Sequence, residues 1–271
     1  MISRRFPSRL LAAHAALVYL FLYGPIAILV LFSFNSAKYI SAWQGFSFRW
    51  YVALWRDDEM QECMRNSLIV GAIATLIATV IGTLAALALS REKFRGKSTT
   101  VGLLYLPIII PEIVIGAATL TFFSTAHCPR SLTTIMIAHI TFSVSYVAIV
   151  VRARLAGFDR SLEEAASDLG AGPLGTFWRV KLPLMLPGIV AAALLVFTLS
   201  IDDYVITSFV AGPQSQTLPL LIASKLHVKN DLPMVNAAAT VLLVATIVLI
   251  AVSQWLLGER KSKPIRDSAR G

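Results

Sequence analysis

Three carboxylates stand inside long apolar segments of the sequence: Glu112 in one segment, and the adjacent pair Asp202 and Asp203 in another. A charged side chain near the centre of a bilayer costs about 2.5–3.5 kcal/mol on insertion scales, so we expect these three to face a protein interior or a wet pathway. No Lys or Arg lies deep in these segments to neutralise them. Because carboxylates replace the water around an ammonium group well, the pattern favours a route for an organic cation carrying two or more charges. Hydrogen bonding to neighbouring helices or to a partner subunit is the alternative for each acid.

The two adjacent aspartates cannot both point in one direction from a single helix, because neighbouring residues are separated by about 100° around its axis. On a continuous helix, Asp203 shares its stripe with Ser200 and Thr207, whereas Asp202 shares its stripe with Thr198. This spacing favours Asp203 slightly as the residue that faces a pore, and both remain candidates.

A polar stripe in a further apolar segment is formed by His139, Ser143 and Tyr146, which fall on one helical face. We predict that His139 is hydrogen-bonded between helices rather than a ligand for a metal or solute. Tyr146 is included among the residues of the predicted pathway. The sequence contains no His/Cys spacing typical of a metal site and no pattern of nucleophile and base, so no enzymatic site is predicted in this chain.

The elements that must position these residues are membrane helices. Of the 271 residues, 56% are hydrophobic and 14% are charged, and the mean hydropathy is +0.72. A helix needs about 20 apolar residues to cross a bilayer, and helices satisfy their own backbone hydrogen bonds there. The sequence therefore predicts an all-α polytopic membrane protein, a single domain over residues 1–271, with six spans at about 10–34, 66–89, 99–123, 132–151, 187–210 and 233–257.

The distribution of charge predicts the orientation of these spans. The net charge of +9 would suggest nucleic acid in a soluble protein, but most of the 24 Lys and Arg residues lie in the terminal segments and in alternate loops. The positive-inside rule then places both termini in the cytoplasm, and no nucleic-acid partner is expected. Cys63 and Cys128 both fall on the predicted outer side, where a disulfide is permitted, although two separate thiols are the favoured interpretation.

The predicted inner loop, residues 152–186, contains a short amphipathic helix. Asp159 or Ser161 can cap its start, Glu163 and Glu164 occupy its first turn, and Gly170 can end it. Such a helix can lie on the membrane surface or bind a cytoplasmic partner.

The same loop carries a motif with specific spacing. Glu164-Ala165-Ala166 is followed by Gly170 and then by Val180, Lys181 and Leu182-Pro183. This pattern resembles the EAA loop of the permease subunits of bacterial ABC importers, with Val180 where that family commonly has Ile. Further stretches resemble the permeases of putrescine and spermidine importers: Tyr23-Gly24-Pro25, Phe32-Ser33-Phe34-Asn35, Leu106-Pro107, Pro111-Glu112 and Phe197 to Ile206.

The resemblance implies a type I ABC importer permease fold in a bacterial inner membrane. It implies that the loop docks on an ATPase subunit through Glu163, Glu164, Ala165, Ala166, Gly170, Leu182 and Pro183. The implied partners are a second, non-identical permease, two ATP-binding cassette subunits and a periplasmic polyamine-binding protein.

ATP and Mg²⁺ are expected on the cassette subunits, with no cofactor in this chain. Gly96-Lys97-Ser98 is similar to the end of a phosphate-binding loop, but Arg91 stands where its first glycine is required. Two alternatives stay open at this point: an ABC permease for another small cation or an amino acid, and a secondary transporter driven by an ion gradient.

Overall fold

A computed structural model describes residues 8–38, 42–91, 94–159, 161–226 and 232–258. In this part of the chain the structure is helical and has no β-strand, only an isolated bridge between Asn35 and Phe46. The helices are α1 (Ser8–Ser33), α2 (Arg49–Arg56), α3 (Asp58–Arg91), α4 (Lys97–Ile109), α5 (Glu112–Thr125), α6 (Leu132–Ala156), α7 (Ser161–Asp168), α8 (Pro173–Thr176), a π-helical turn (Phe177–Lys181), α9 (Leu182–Ile201), α10 (Val205–Val210), α11 (Leu218–Lys225) and α12 (Leu232–Gly258).

Five helical stretches of the described residues are long and apolar enough to cross a membrane, and the pair α4 and α5 makes a sixth if it is taken as one broken span. The five are Leu10–Ser33, Asp58–Ser90, Leu132–Ala156, Pro173–Ile201 and Leu232–Val252. The predicted all-α membrane class is therefore confirmed. Two predicted spans differ from straight helices: 99–123 is sharply bent, and 187–210 is interrupted after Ile201.

The bend between α4 and α5 is 107° and has a local cause. Pro111 has no N–H to donate to the carbonyl of Pro107, and its ring disfavours a helical conformation for the preceding residue. Ile110 accordingly has an extended backbone, with φ −74° and ψ 132°. The helix starts again at Glu112, so this acid occupies the first turn of α5.

The chain groups into two compact units, and the prediction of one domain over 1–271 stays a prediction. The first unit comprises Met1–Glu62 and Leu221–Val244. In this unit, the side chain of Asn35 organises the loop after α1: its amide donates to the carbonyl of Ala42, and its Oδ1 accepts the N–H groups of Ala37 and Gln44. Lys225 and Glu59 form an ion pair of 2.8 Å.

The second unit comprises Cys63–Leu220 and Ala245–Gly271. In it, α6 packs against α9, α4 packs against α6, and α5 packs against α10. Two buried apolar clusters hold these helices together. One contains Val70, Phe123, Ile135, Ala138, Phe142, Ile206 and Val210, and the other contains Ala78, Ala86, Val147, Val151, Met185, Ala192 and Val196. Cys63 is buried and Cys128 is exposed, and no disulfide joins these two described residues.

The contact between α3 and α6 depends on a glycine. A Cβ atom at Gly82 would lie 2.6 Å from Cβ of Val147 and 2.9 Å from the carbonyl oxygen of Val144. Backbones approach this closely at membrane helix interfaces only where small residues allow it. Gly82 therefore sets the distance between these two helices.

We expect Gly82→Ala to lower the free energy of unfolding by about 1–3 kcal/mol, the usual cost of overpacking a filled interior. Gly102→Ala is the matched control, because a Cβ there meets nothing within 4 Å, and alanine has the higher helix propensity. Thermal unfolding of both variants in detergent checks the expectation. Equal melting temperatures for the two would contradict this role of Gly82.

Candidate functional site

A cavity of about 280 Å³ lies within the second unit. Its lining residues are Pro107, Glu112, Ile115, Phe142, Tyr146, Thr198, Leu199, Asp202, Asp203, Tyr204 and Val205. All four residues predicted for a substrate pathway, namely Glu112, Tyr146, Asp202 and Asp203, are brought together here. Residues from three segments distant in sequence thus converge on one volume.

Two interruptions of helices meet at this cavity. One separates α4 from α5 just before Glu112, and the other separates α9 from α10 at Asp202, Asp203 and Tyr204. The carboxyl ends of α4 and α9 carry partial negative charge, and the amino ends of α5 and α10 favour the carboxylates of Glu112 and Asp203. Broken helices that line a cavity are a common way to build a solute site in a membrane protein.

Asp203 belongs to a buried polar network. Its Oδ2 accepts the backbone N–H of Thr207 at 2.8 Å and the hydroxyl of Thr207 at 2.8 Å. Nε2 of His139 lies 3.2 Å from the same oxygen, and Nδ1 of His139 lies 2.6 Å from Oγ of Ser200. The side chains of His139 and Asp203 are only 1% and 6% exposed. The prediction that His139 is hydrogen-bonded between helices is confirmed.

Asp202 and Glu112 have a different environment from Asp203. Both residues are exposed on the cavity, and within the described ranges neither carboxylate has a hydrogen-bonding or ionic partner. The sequence favoured Asp203 as the pore-facing acid, but in the structure its carboxylate is bound internally by His139 and Thr207. Asp202, which lines the cavity together with Thr198, is the better placed of the pair to meet a solute.

The interruption at residues 202–204 is the feature that sequence reasoning missed. The stretch from Phe197 to Ile206 contains no Pro or Gly, so its pattern predicted an unbroken helix. Asp203 accepts the N–H groups of Ile206 and Thr207 and thereby caps the start of α10. Aspartate is one of the residues preferred at the start of a helix, because its side chain accepts free backbone N–H groups. Asp203 was therefore a signal that could have revealed the start of α10.

A second group of predicted residues surrounds α7. Oδ1 of Asp159 accepts the N–H of Ser161 at 2.9 Å, which lowers the pKa of the Asp159 carboxyl. At the other end, Gly170 has φ +82°, its N–H donates to the carbonyl of Ser167, and that of Ala171 donates to the carbonyl of Ala166. This left-handed glycine ends the helix in a Schellman motif. The predicted start and end of the short helix in the 152–186 loop are thus confirmed.

The faces of α7 differ in exposure. Glu164, Ala165 and Gly170 are exposed, and Ala166 is half-buried. Beside them the structure exposes large apolar side chains that the sequence analysis did not single out: Leu169, Leu174 and Trp178 are 88%, 72% and 59% exposed. At the start of α9, Leu182 is half-buried and Pro183 is exposed.

Glu163 is turned toward the protein, unlike Glu164. Its Oε2 lies 2.7 Å from Nζ of Lys181 in the π-helical turn, and the Lys181 side chain is 6% exposed. Sequence reasoning did not identify this contact. A lysine between Val180 and Leu182, directly before an apolar span, was the available signal.

We expect His139→Leu to lower the free energy of unfolding by about 2 kcal/mol, because hydrogen bonds to a charged group are worth about that much. His139→Gln should lose less, since its amide can still donate to Asp203. His14→Leu is the control, because His14 is exposed on α1. Chemical unfolding in mixed detergent measures the three variants. Equal losses for His139→Leu and His14→Leu would show that the network does not stabilise the fold.

Comparisons with known proteins agree with this architecture. Residues 78–258 match the family described as "Binding-protein-dependent transport system inner membrane component". The chain is 41% identical over 257 residues to the putrescine transport system permease protein PotI of Escherichia coli K12, covering 92% of this chain and 91% of the relative. It is 40% identical over 246 residues to the spermidine/putrescine transport system permease protein PotC of the same strain, covering 91% and 92%.

Solved structures show the same fold at lower identity. A chain of a bacterial ABC transporter that imports the acidic polysaccharide alginate gives a TM-score of 0.75 at 16% identity, covering 96% of this chain and 98% of that one. A chain of the MetNI methionine ABC transporter gives 0.62 at 17% identity, covering 75% and 98%. The fold is that of a type I ABC importer permease. By the family match and by these relatives, the chain belongs to the inner membrane components of binding-protein-dependent transport systems.

Proposed function

We propose that this chain is the permease subunit of an ATP-driven importer of polyamines, and that Glu112 and Asp202 contact the cation on its route. The observation that supports this most strongly is the cavity at the two helix interruptions, which holds two carboxylates without protein partners in the described part of the chain. In a membrane, such groups call for a cationic partner.

The remaining lining residues suit an aliphatic amine. Tyr146 and Tyr204 offer aromatic faces and hydroxyls, and Phe142 offers a further ring. Aromatic faces attract ammonium groups, and apolar rings accommodate the methylene chain between them. The named relatives carry putrescine or spermidine, and the cavity chemistry is compatible with either solute.

Energy for transport is proposed to come from two ATP-binding cassette subunits that bind Mg-ATP, one of which docks on α7. The exposed Glu164 and Ala165, the half-buried Ala166 and the apolar Leu169 offer a surface for such a subunit. Gly170 ends the docking helix, and Leu182-Pro183 begins the span that follows it. Small residues at Ala165 and Ala166 allow the close approach that a rigid connection requires.

A complete importer of this kind needs further proteins. We place a second, non-identical permease across the pathway and a periplasmic polyamine-binding protein on the outer side, with both termini of this chain in the cytoplasm. The basic residues around α7 and at the two ends of the sequence support this orientation. Co-purification of an ATPase with the chain distinguishes this assembly from a transporter driven by an ion gradient.

For the pathway, we expect Glu112→Gln and Asp202→Asn each to raise the KM for putrescine by about tenfold, because each removes one charge-assisted hydrogen bond. Uptake of labelled putrescine by proteoliposomes containing the assembled complex measures this change. Glu62→Gln is the control, since Glu62 is an exposed acid outside the cavity. An unchanged KM in both cavity variants would refute the proposed cation pathway.

For the docking surface, we expect Glu164→Lys to abolish uptake while the chain still inserts into the membrane, because the reversed charge lies on the exposed face of α7. Glu62→Lys makes the same charge change elsewhere and should leave uptake intact. Uptake assays and co-purification with the ATPase are measured together. Normal uptake by Glu164→Lys would count against a docking role for α7.

A further inference from the structure

We infer that the ion pair between Glu163 and Lys181 is the link that makes α7 and α9 move as one body during transport. Lys181 is 4% exposed, and its Nζ lies 2.7 Å from Oε2 of Glu163. The inference rests on the proposed function, since it concerns how work at the docking helix reaches the cavity. It assigns Lys181 as a positioning residue.

The stability of the fold alone does not explain why Glu163 and Lys181 form an ion pair. Removing Lys181 from water costs free energy, although the Glu163 side chain stays 30% exposed. An apolar pair of similar volume often serves a fold equally well. The short contact between Glu163 and the buried Lys181 instead fixes one geometry of the two side chains. The pair therefore acts as a connection of defined length between two segments that are 18 residues apart in the sequence.

The ion pair lies at an irregular turn between α8 and α9. Lys181 is the last residue of the π-helical turn Phe177–Lys181, which lies inside an otherwise continuous helical stretch from Pro173 to Ile201. π-helical turns are rare and are less regular than the α-helix on either side. Without lateral support, this turn is the point at which the stretch would bend when α7 is pushed. The ion pair ties that point to α7.

From Lys181 one helix, with Pro187 in its interior, leads to the cavity. Helix α9 covers 20 residues, which corresponds to a length of about 30 Å. It ends at Ile201, directly before Asp202 and Asp203. Near its beginning, Gly188 lies against the side chain of Arg154 so closely that an added Cβ would be 2.9 Å from Cγ. A displacement at Lys181 is thus carried along α9 to the two aspartates.

The test uses the complete complex in proteoliposomes and measures putrescine transported per ATP hydrolysed. We expect Lys181→Met and Glu163→Gln each to lower this ratio by about tenfold, while ATP hydrolysis continues. The double variant Glu163→Lys with Lys181→Glu restores the pair in reverse and should recover most of the ratio. Arg179→Met is the control, because Arg179 lies exposed in the same turn.

Each outcome decides the inference. A normal ratio in Lys181→Met would overturn it. If Lys181→Met fails to assemble, the charge-reversed double variant decides: recovered coupling supports the link, and an uncoupled or unassembled complex contradicts it. Failure of the wild-type complex to hydrolyse ATP during uptake would instead refute the proposed function itself, so the two failures are distinguishable.

Discussion

A polar group inside a lipid bilayer must find its partner within the protein or in a wet cavity, and this constraint shapes the whole pathway of the chain. Pro111 removes one backbone hydrogen bond and bends α4 away from α5, which places Glu112 at a helix start. Asp203 is satisfied by Thr207 and His139, and its position ends one helix and begins another. The carboxylates of Glu112 and Asp202, which have no partner among the described residues, share one cavity.

The two adjacent aspartates, Asp202 and Asp203, thus have different surroundings. The carboxylate of Asp203 is bound within the protein by His139 and Thr207. That internal network holds the interruption open, and Asp202 projects from it toward the cavity. In the proposed mechanism, work enters at the other end of α9, where α7 and the π-helical turn meet through Glu163 and Lys181. In this mechanism one helix connects the proposed docking surface for the ATPase with the proposed site for the solute.

Much of this arrangement could be predicted from local features of the sequence. Long apolar segments predicted the spans because a bilayer requires them, and Gly170 predicted the end of α7 because few other residues accept its positive φ. The carboxylates predicted the pathway because an unpaired charge in lipid is too costly to be accidental. In each case the physical reason lies within a few residues of the signal.

The features that could not be predicted depend on residues far apart in the chain. The polar network at the interruption joins distant residues, because His139 on α6 meets both Ser200 and Asp203. The link at Lys181 depends on Glu163 on a separate helix. A helical pattern shows which residues share a face, but it does not show which helix that face meets. For this reason the sequence favoured Asp203 for the pore, whereas the structure gives Asp202 the better position.

ATP-driven accumulation of putrescine is the most direct measurement of the central claim. The chain is purified with its second permease and ATPase subunits, reconstituted into liposomes, and supplied with labelled putrescine, its binding protein and Mg-ATP. The account predicts accumulation only when ATP is present on the side of the membrane that carries α7. Equal accumulation without the ATPase subunits, or with ATP only on the opposite side, would contradict it.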